Sequence, residues 1–167
     1  MSVLVFAENW EGKFKKGTFE AVTYAYETAQ KLGLSTIAIT IGDLSDNPAS
    51  LGNYGAEKVI CVKNNINNCD NNNLAKVIAE TAKKENSNTI ILTHSNTGKS
   101  IASRLAIKMD AALISNVIAI MSQNDPLIVK RKAFSGKAFE NTQCNQSKCI
   151  LTLAPNSFYV KETGATA

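Results

Sequence analysis

Val3, Leu4, Val5, Phe6 and Ala7 make an unbroken apolar run closed by Glu8 and Asn9, the pattern of a strand buried on both faces of a parallel sheet. Similar runs recur at residues 36–41, 58–62 and 89–93, which predicts four parallel strands. Between the first two, Phe19, Val22, Ala25, Tyr26, Ala29 and Leu32 repeat at helical spacing, and Gly33 stands where a left-handed carboxy-terminal cap is expected. Between the third and fourth, Leu74, Val77, Ile78, Thr81 and Ala82 repeat the pattern behind an Asn-rich cap at residues 70–73. The connection from Gly42 to Gly55 leaves room for a helical turn or two near residues 48–54. Ile101, Ala102, Leu105 and Met109 mark a further helix beginning near Gly98.

The alternation predicts an α/β fold: a doubly wound, mostly parallel Rossmann-like sheet with right-handed crossovers. From Ala111 onward the texture changes. Residues 112–121, 127–133, 137–142 and 149–154 read as strands, with turn signals at Asn124-Asp125-Pro126, Ser135-Gly136 and Asn145-Gln146-Ser147. No helical pattern separates them. The expectation is a fifth parallel strand followed by antiparallel additions at the sheet edge. The Asn-rich residues 64–73 read as a solvated loop leading into a helix cap. A single domain over residues 1–160 is expected, with residues 161–167 beginning a linker.

Composition refines this picture without overturning it. With 167 residues and 44% hydrophobic content, the chain can bury a substantial core. The formal charge of +4 is spread out apart from short groups such as Lys13, Lys15, Lys16 and Lys130, Arg131, Lys132, and aromatics are only 7%. Such scattering argues against nucleic acid as a partner, because nucleic-acid binders cluster basic and aromatic residues on one face. The apolar run from Ser2 to Phe6 after Met1 is too short for a signal peptide or a membrane span, so the expected location is the cytoplasm. Cys61, Cys69, Cys144 and Cys149 form no C-x-x-C pair, so neither a zinc knuckle nor a thioredoxin-type couple is written here. Cys61, inside an apolar run, reads as a small core hydrophobe, and the others as exposed free thiols suited to a reducing compartment.

In open α/β sheets ligands bind beyond the carboxyl ends of the strands, where neighbouring connections leave on opposite faces. Two loops qualify: residues 8–16 after the first strand and residues 94–100 after the fourth. In the second, Ser95, Thr97, Gly98 and Lys99 combine hydroxyls, a glycine and a lysine at a helix start, where free N–H groups and the helix dipole favour an anion. Gly98-Lys99-Ser100 is not the end of a Walker loop, since the first glycine of that motif would have to stand at Thr93. The plainer reading is that Ser95 and Thr97 cap the helix while Lys99 is solvated. His94 has no second His, Cys or paired carboxylate alongside it and receives no catalytic role. Glu8, Glu11 and Asp43 read as cap or turn residues, and no nucleophile and base can be paired. Trp10, Phe14 and the later Phe158-Tyr159-Val160 either fold back on the helices or anchor a partner.

Val3-Leu4-Val5-Phe6-Ala7-Glu8, Tyr54-Gly55-Ala56-Glu57-Lys58-Val59, residues 95–106 from Ser95-Asn96-Thr97-Gly98-Lys99 onward, Ala111-Ala112-Leu113-Ile114-Ser115-Asn116-Val117, and Arg131 with Phe134-Ser135-Gly136-Lys137-Ala138 follow one another in order. Together they resemble the amino-terminal domain of the electron-transfer flavoprotein alpha subunit. The resemblance implies an adenine-nucleotide alpha-hydrolase-like sheet and a heterodimer with a beta subunit. It further implies an electron carrier, not an enzyme, that takes electrons from acyl-CoA-type dehydrogenases and passes them to a membrane quinone oxidoreductase. The carrier is FAD, held in this family mainly by a carboxy-terminal alpha domain for which this chain has no segment. No FAD is therefore expected on the chain itself, and AMP is expected in the beta partner only. What this leaves is a scaffold role, with self-association of the isolated chain through uncovered interface surface. The competing readings are an adenine-nucleotide-binding module, using residues 95–100 for phosphate and the first loop for adenosine, and a stand-alone interaction protein without a cofactor.

Overall fold

The computed structural model describes residues 1–63 and 70–163. β1 (Ser2–Phe6) leads through a small hairpin, β2 (Asn9–Trp10) and β3 (Lys13–Phe14), into α1 (Lys16–Leu32). There follow β4 (Ser35–Ile41), a 3₁₀ helix (Pro48–Tyr54), β5 (Lys58–Val62), α2 (Asn71–Lys84), β6 (Ser87–Thr93) and α3 (Asn96–Met109). The remainder is β7 (Ala112–Val117), β8 (Gln123–Asn124), β9 (Leu127–Ala133), β10 (Ala138–Cys144) and β11 (Cys149–Leu153). The predicted helices form with the predicted caps. Gly33 closes α1 at φ 66°, and the Asp70 carboxylate accepts from the Asn72 N–H at 3.0 Å at the start of α2. Residues 64–69 of the Asn-rich stretch, with Cys69, lie outside the described residues.

The main sheet runs β10-β9-β7-β11-β6-β1-β4-β5, with β8 paired to β9. β7, β11, β6, β1, β4 and β5 are mutually parallel, whereas β9 and β10 are antiparallel additions at the edge. The doubly wound, mostly parallel class is thus what the alternation implied. One strand departs from expectation. β11, expected among the edge additions, inserts in parallel between β6 and β7 and pairs with both. All five of its residues are buried, which is the continuous apolar reading of a strand covered on both faces.

α1 covers one face of the sheet, where Val22, Ala25 and Ala29 join Val3, Val5, Ile91, Leu151 and Leu153 in one core. α2 and α3 cover the other, where Ile78, Ile101 and Leu105 meet Leu4, Ile39, Ile90, Leu92 and Ile150. The cysteines come out reversed. Cys61 lies on edge strand β5 and is exposed, while Cys144 and Cys149 are buried. Cys149 opens the central strand β11, and Cys144, the last residue of β10, joins the same core. Burial, then the neighbouring Cys144, push the Cys149 thiol well above its ordinary range, so both read as packing residues. They border a hollow of about 520 Å³ at the amino-terminal ends of the strands, away from the loops after β1 and β6.

Candidate functional site

The connection after β1 passes to α1 on one face, and that after β6 passes to α3 on the other. The two loops part above the sheet and leave a cleft of about 370 Å³, bounded by Glu8, Trp10, Lys15, Glu20, Ser95 and Leu153. This is the switch-point position at which doubly wound sheets take ligands.

Each expected residue of the second loop has a definite place. Ser95 is the N-cap of α3, and its Oγ accepts from the Gly98 N–H at 2.9 Å. Thr97 lies half-buried in the first turn and lines the cleft, while Lys99 is exposed one position past Gly98. Gly98 itself is buried, and a Cβ at that position would stand 1.9 Å from the Thr93 carbonyl oxygen. Its role is therefore close packing: the first turn of α3 rests directly on the end of β6, and only a residue without a side chain permits it.

Glu8, read from sequence as a cap or turn residue, is the group that organises the cleft. Its Oε2 accepts from Thr93 Oγ1 and from Ser95 Oγ, each at 2.7 Å. A carboxylate thus sits at the amino end of α3, where the dipole and the N-cap favour negative charge. The hydroxyl of Ser95 is engaged on both sides, donating to Glu8 and accepting from Gly98. A phosphate approaching the same point would meet a charge of its own sign. Removing this carboxylate with Glu8→Ala is expected to lower stability by about 1.5 to 2 kcal/mol, the lower part of the range for hydrogen bonds to a charged group, measured by urea unfolding followed by circular dichroism.

A second carboxylate, Glu20 of α1, is 1% exposed. Its Oε2 accepts from the Asn156 N–H at 3.0 Å, and its Oε1 lies 3.5 Å from Lys16 Nζ with no hydrogen bond. Lys16 Nζ also donates to Asn156 Oδ1 at 3.1 Å, so Glu20 and Lys16 together pin the turn after β11 to α1. The aromatic residues of the first loop divide. Phe14 folds back, 8% exposed and edge-on to Phe19, whereas Trp10 stays 61% exposed with Lys15 Nζ 4.8 Å from its ring centre. Phe158 packs edge-on against Tyr24 at 5.1 Å, and Tyr159 stacks on Phe158 while its hydroxyl donates to Glu27.

His94 lies on the far side of the β6 end from Glu8. Its Nδ1 is 2.8 Å from Thr152 Oγ1, which also accepts from the Asn116 N–H at 3.1 Å. Asn116 sits at an irregularity of β7 with φ 63°, which frees its N–H for the threonine. Burial first, then the positive charges of Lys99 and Arg131, hold the imidazole below its ordinary range. Among the described residues no three of His, Cys, Asp and Glu converge as metal ligands, and no helix is long and apolar enough to cross a membrane.

A family model for the electron transfer flavoprotein domain matches residues 3–167. The electron transfer flavoprotein subunit alpha of Bacillus subtilis is 28% identical over 162 residues, covering 96% of this chain and 49% of the relative. That of Syntrophomonas wolfei is 27% identical over 167 residues, covering 98% of this chain and 50% of the relative. The lactate dehydrogenase (NAD(+),ferredoxin) subunit LctC of Acetobacterium woodii is 27% identical over 137 residues, 80% of this chain and 33% of its own length. Among solved structures, a universal stress protein from Archaeoglobus fulgidus covers 65% of this chain at 16% identity with a TM-score of 0.43. The chain spans about half the length of the alpha subunits it matches. On a match that runs through nearly every element described above, this chain belongs to the electron transfer flavoprotein domain family.

Proposed function

We propose that the chain is the amino-terminal scaffold of an electron-transfer flavoprotein alpha subunit. In this reading it packs against a beta subunit and supports the FAD-bearing domain that full-length alpha subunits carry. Residues 1–160 are the folded scaffold, and residues 161–167 lead towards that domain. The assembled carrier moves electrons from acyl-CoA-type dehydrogenases to a quinone oxidoreductase in the cytoplasm. FAD belongs to the assembled heterodimer and AMP to the beta partner. The observation that carries this reading is the family match over residues 3–167 with relatives named as alpha subunits. The cleft agrees with it: its carboxylates, Glu8 and Glu20, are tied to hydroxyls, a backbone N–H and Lys16, which is scaffolding and not an acid and base poised for chemistry.

The test is co-expression of the chain with a beta-type subunit of the same family. The expected result is a stoichiometric heterodimer on size exclusion, with the chain alone colourless. Failure to form that complex, or stoichiometric yellow flavin on the isolated chain, would overturn the assignment.

A further inference from the structure

The sheet is not covered evenly on its α2 and α3 side. Leu113 of β7 stands beside Ile150 of β11, which belongs to the core under those helices, so Leu113 faces the same way. On β9 and β10, Val129 and Cys144 lie in the core on the α1 side. Alternation then turns Lys130 and Lys132 of β9, and Phe139, Asn141 and Gln143 of β10, to the opposite side. The register agrees: Phe139 stands across from Lys132 and Asn141 from Lys130, with Lys130 Nζ 5.2 Å from the centre of the Phe139 ring. α3 packs over β6 and β11, and this outer stretch of sheet lies beyond it, with Phe139 59% and Leu113 38% exposed. At the end of the hairpin, Phe134 and Ser135 both take left-handed backbone, φ 48° and 54°. A bulky side chain enters that region only at an energetic cost, and here it leaves the Phe134 ring 79% exposed. The strain gains no burial within the chain. Charge on this face is equally one-sided. None of the residues that β9 and β10 turn to it is an acid, because Glu140 points to the α1 side and accepts from Arg131 Nη1 at 2.8 Å. Neither Lys130 nor Lys132 enters an ion pair among the described residues. A second copy docked here about a two-fold axis would bring this basic face against itself. The face therefore suits a different protein, one that sets carboxylates around apolar groups.

We propose that this uncovered face of β7, β9 and β10 is the surface on which the beta subunit docks, through an acidic patch of its own. Phe139 and Leu113 are the apolar anchors, Phe134 reaches out at the tip, and Lys130 and Lys132 flank them. The proposal rests on the scaffold reading and names its interface. The aromatic rings carry most of the binding energy, as large side chains with few rotamers do at interfaces. The lysines steer the approach and fix the orientation.

The experiment measures Kd and association rate for the full chain against a beta-type subunit of the same family, by biolayer interferometry at two salt concentrations. Phe139→Ala is expected to weaken the complex about thirtyfold, and Phe134→Ala to do the same. Trp10→Ala, an equally exposed ring in the loop after β1, should change Kd by less than about threefold. Lys130→Glu combined with Lys132→Glu should slow association about tenfold and flatten its salt dependence. Because Phe139 is exposed, its truncation leaves the fold intact, so lost binding reports on the interface. A complex that forms with the unaltered chain, and that all of these variants leave unchanged, overturns the proposal while the scaffold reading stands. No complex with the unaltered chain overturns both. A dimer of the chain alone that Phe139→Ala dissociates puts a second copy on this face and overturns the choice of partner.

Discussion

Gly98→Ala is expected to destabilise the chain by about 3 kcal/mol, the upper part of the range for forcing atoms into a filled site. For a domain of this size that corresponds to a fall in Tm of roughly 6 to 12 °C. The obstacle is backbone. The added methyl would stand 1.9 Å from the Thr93 carbonyl and 3.2 Å from Ser95 Oγ, so relief requires α3 to lift from the end of β6. That movement would also break the N-cap bond from Gly98 to Ser95 and, through Ser95, the contact to Glu8. Thermal unfolding of Gly98→Ala beside Ser95→Ala separates the two effects. Loss of the cap alone costs about 1 kcal/mol, and an equal cost for both variants would show that the close approach is not rigid. The glycine therefore belongs to packing.

Ile150→Ala is the second large effect, expected at about 3 kcal/mol within the 2 to 5 range for truncating a buried isoleucine. Ile150 is 0% exposed, on a strand flanked by β6 and β7. The control is Phe139→Ala on edge strand β10, where the ring is 59% exposed and its contact is Lys130 Nζ at 5.2 Å. That change should stay within about 0.5 kcal/mol. Denaturant unfolding of the pair measures directly whether the last strand of the chain is central or peripheral. Similar small costs for both would contradict the strand order.

The parts of the fold that could be read from the residues are those whose causes are local. The helical repeat from Phe19 to Leu32 with Gly33 behind it, the Asp70 cap, and the turn-rich Pro48–Tyr54 segment all appear where the pattern puts them. The apolar runs become strands at nearly the expected residues. The misreadings share a different origin. Residues 149–153 form a buried apolar run, but a run that short carries no information about its neighbours, and the antiparallel hairpin before it suggested an edge position. The apolar run around Cys61 reads as core, yet β5 is the last strand on its side and leaves Cys61 exposed. Cys144 and Cys149 read in sequence as exposed free thiols, and strand order buries them.

The site divides in the same way. The loop from Ser95 to Lys99 was recognisable because an N-cap, a glycine and a lysine at a helix start are written within a few residues. Glu8 was not, since Thr93 and Ser95, the hydroxyls that engage its carboxylate, lie 85 and 87 residues away in the chain. Nor was the bond between His94 and Thr152, which depends on β11 standing beside β6.

By itself the sequence determined the alternating elements, their caps and the family, because periodicity, cap chemistry and ordered motifs are properties of neighbouring residues. Tertiary structure alone decided which strand lies beside which. It thereby decided that the Glu8 carboxylate occupies the expected anion position, because groups separated by long stretches of chain meet only after the sheet has been assembled.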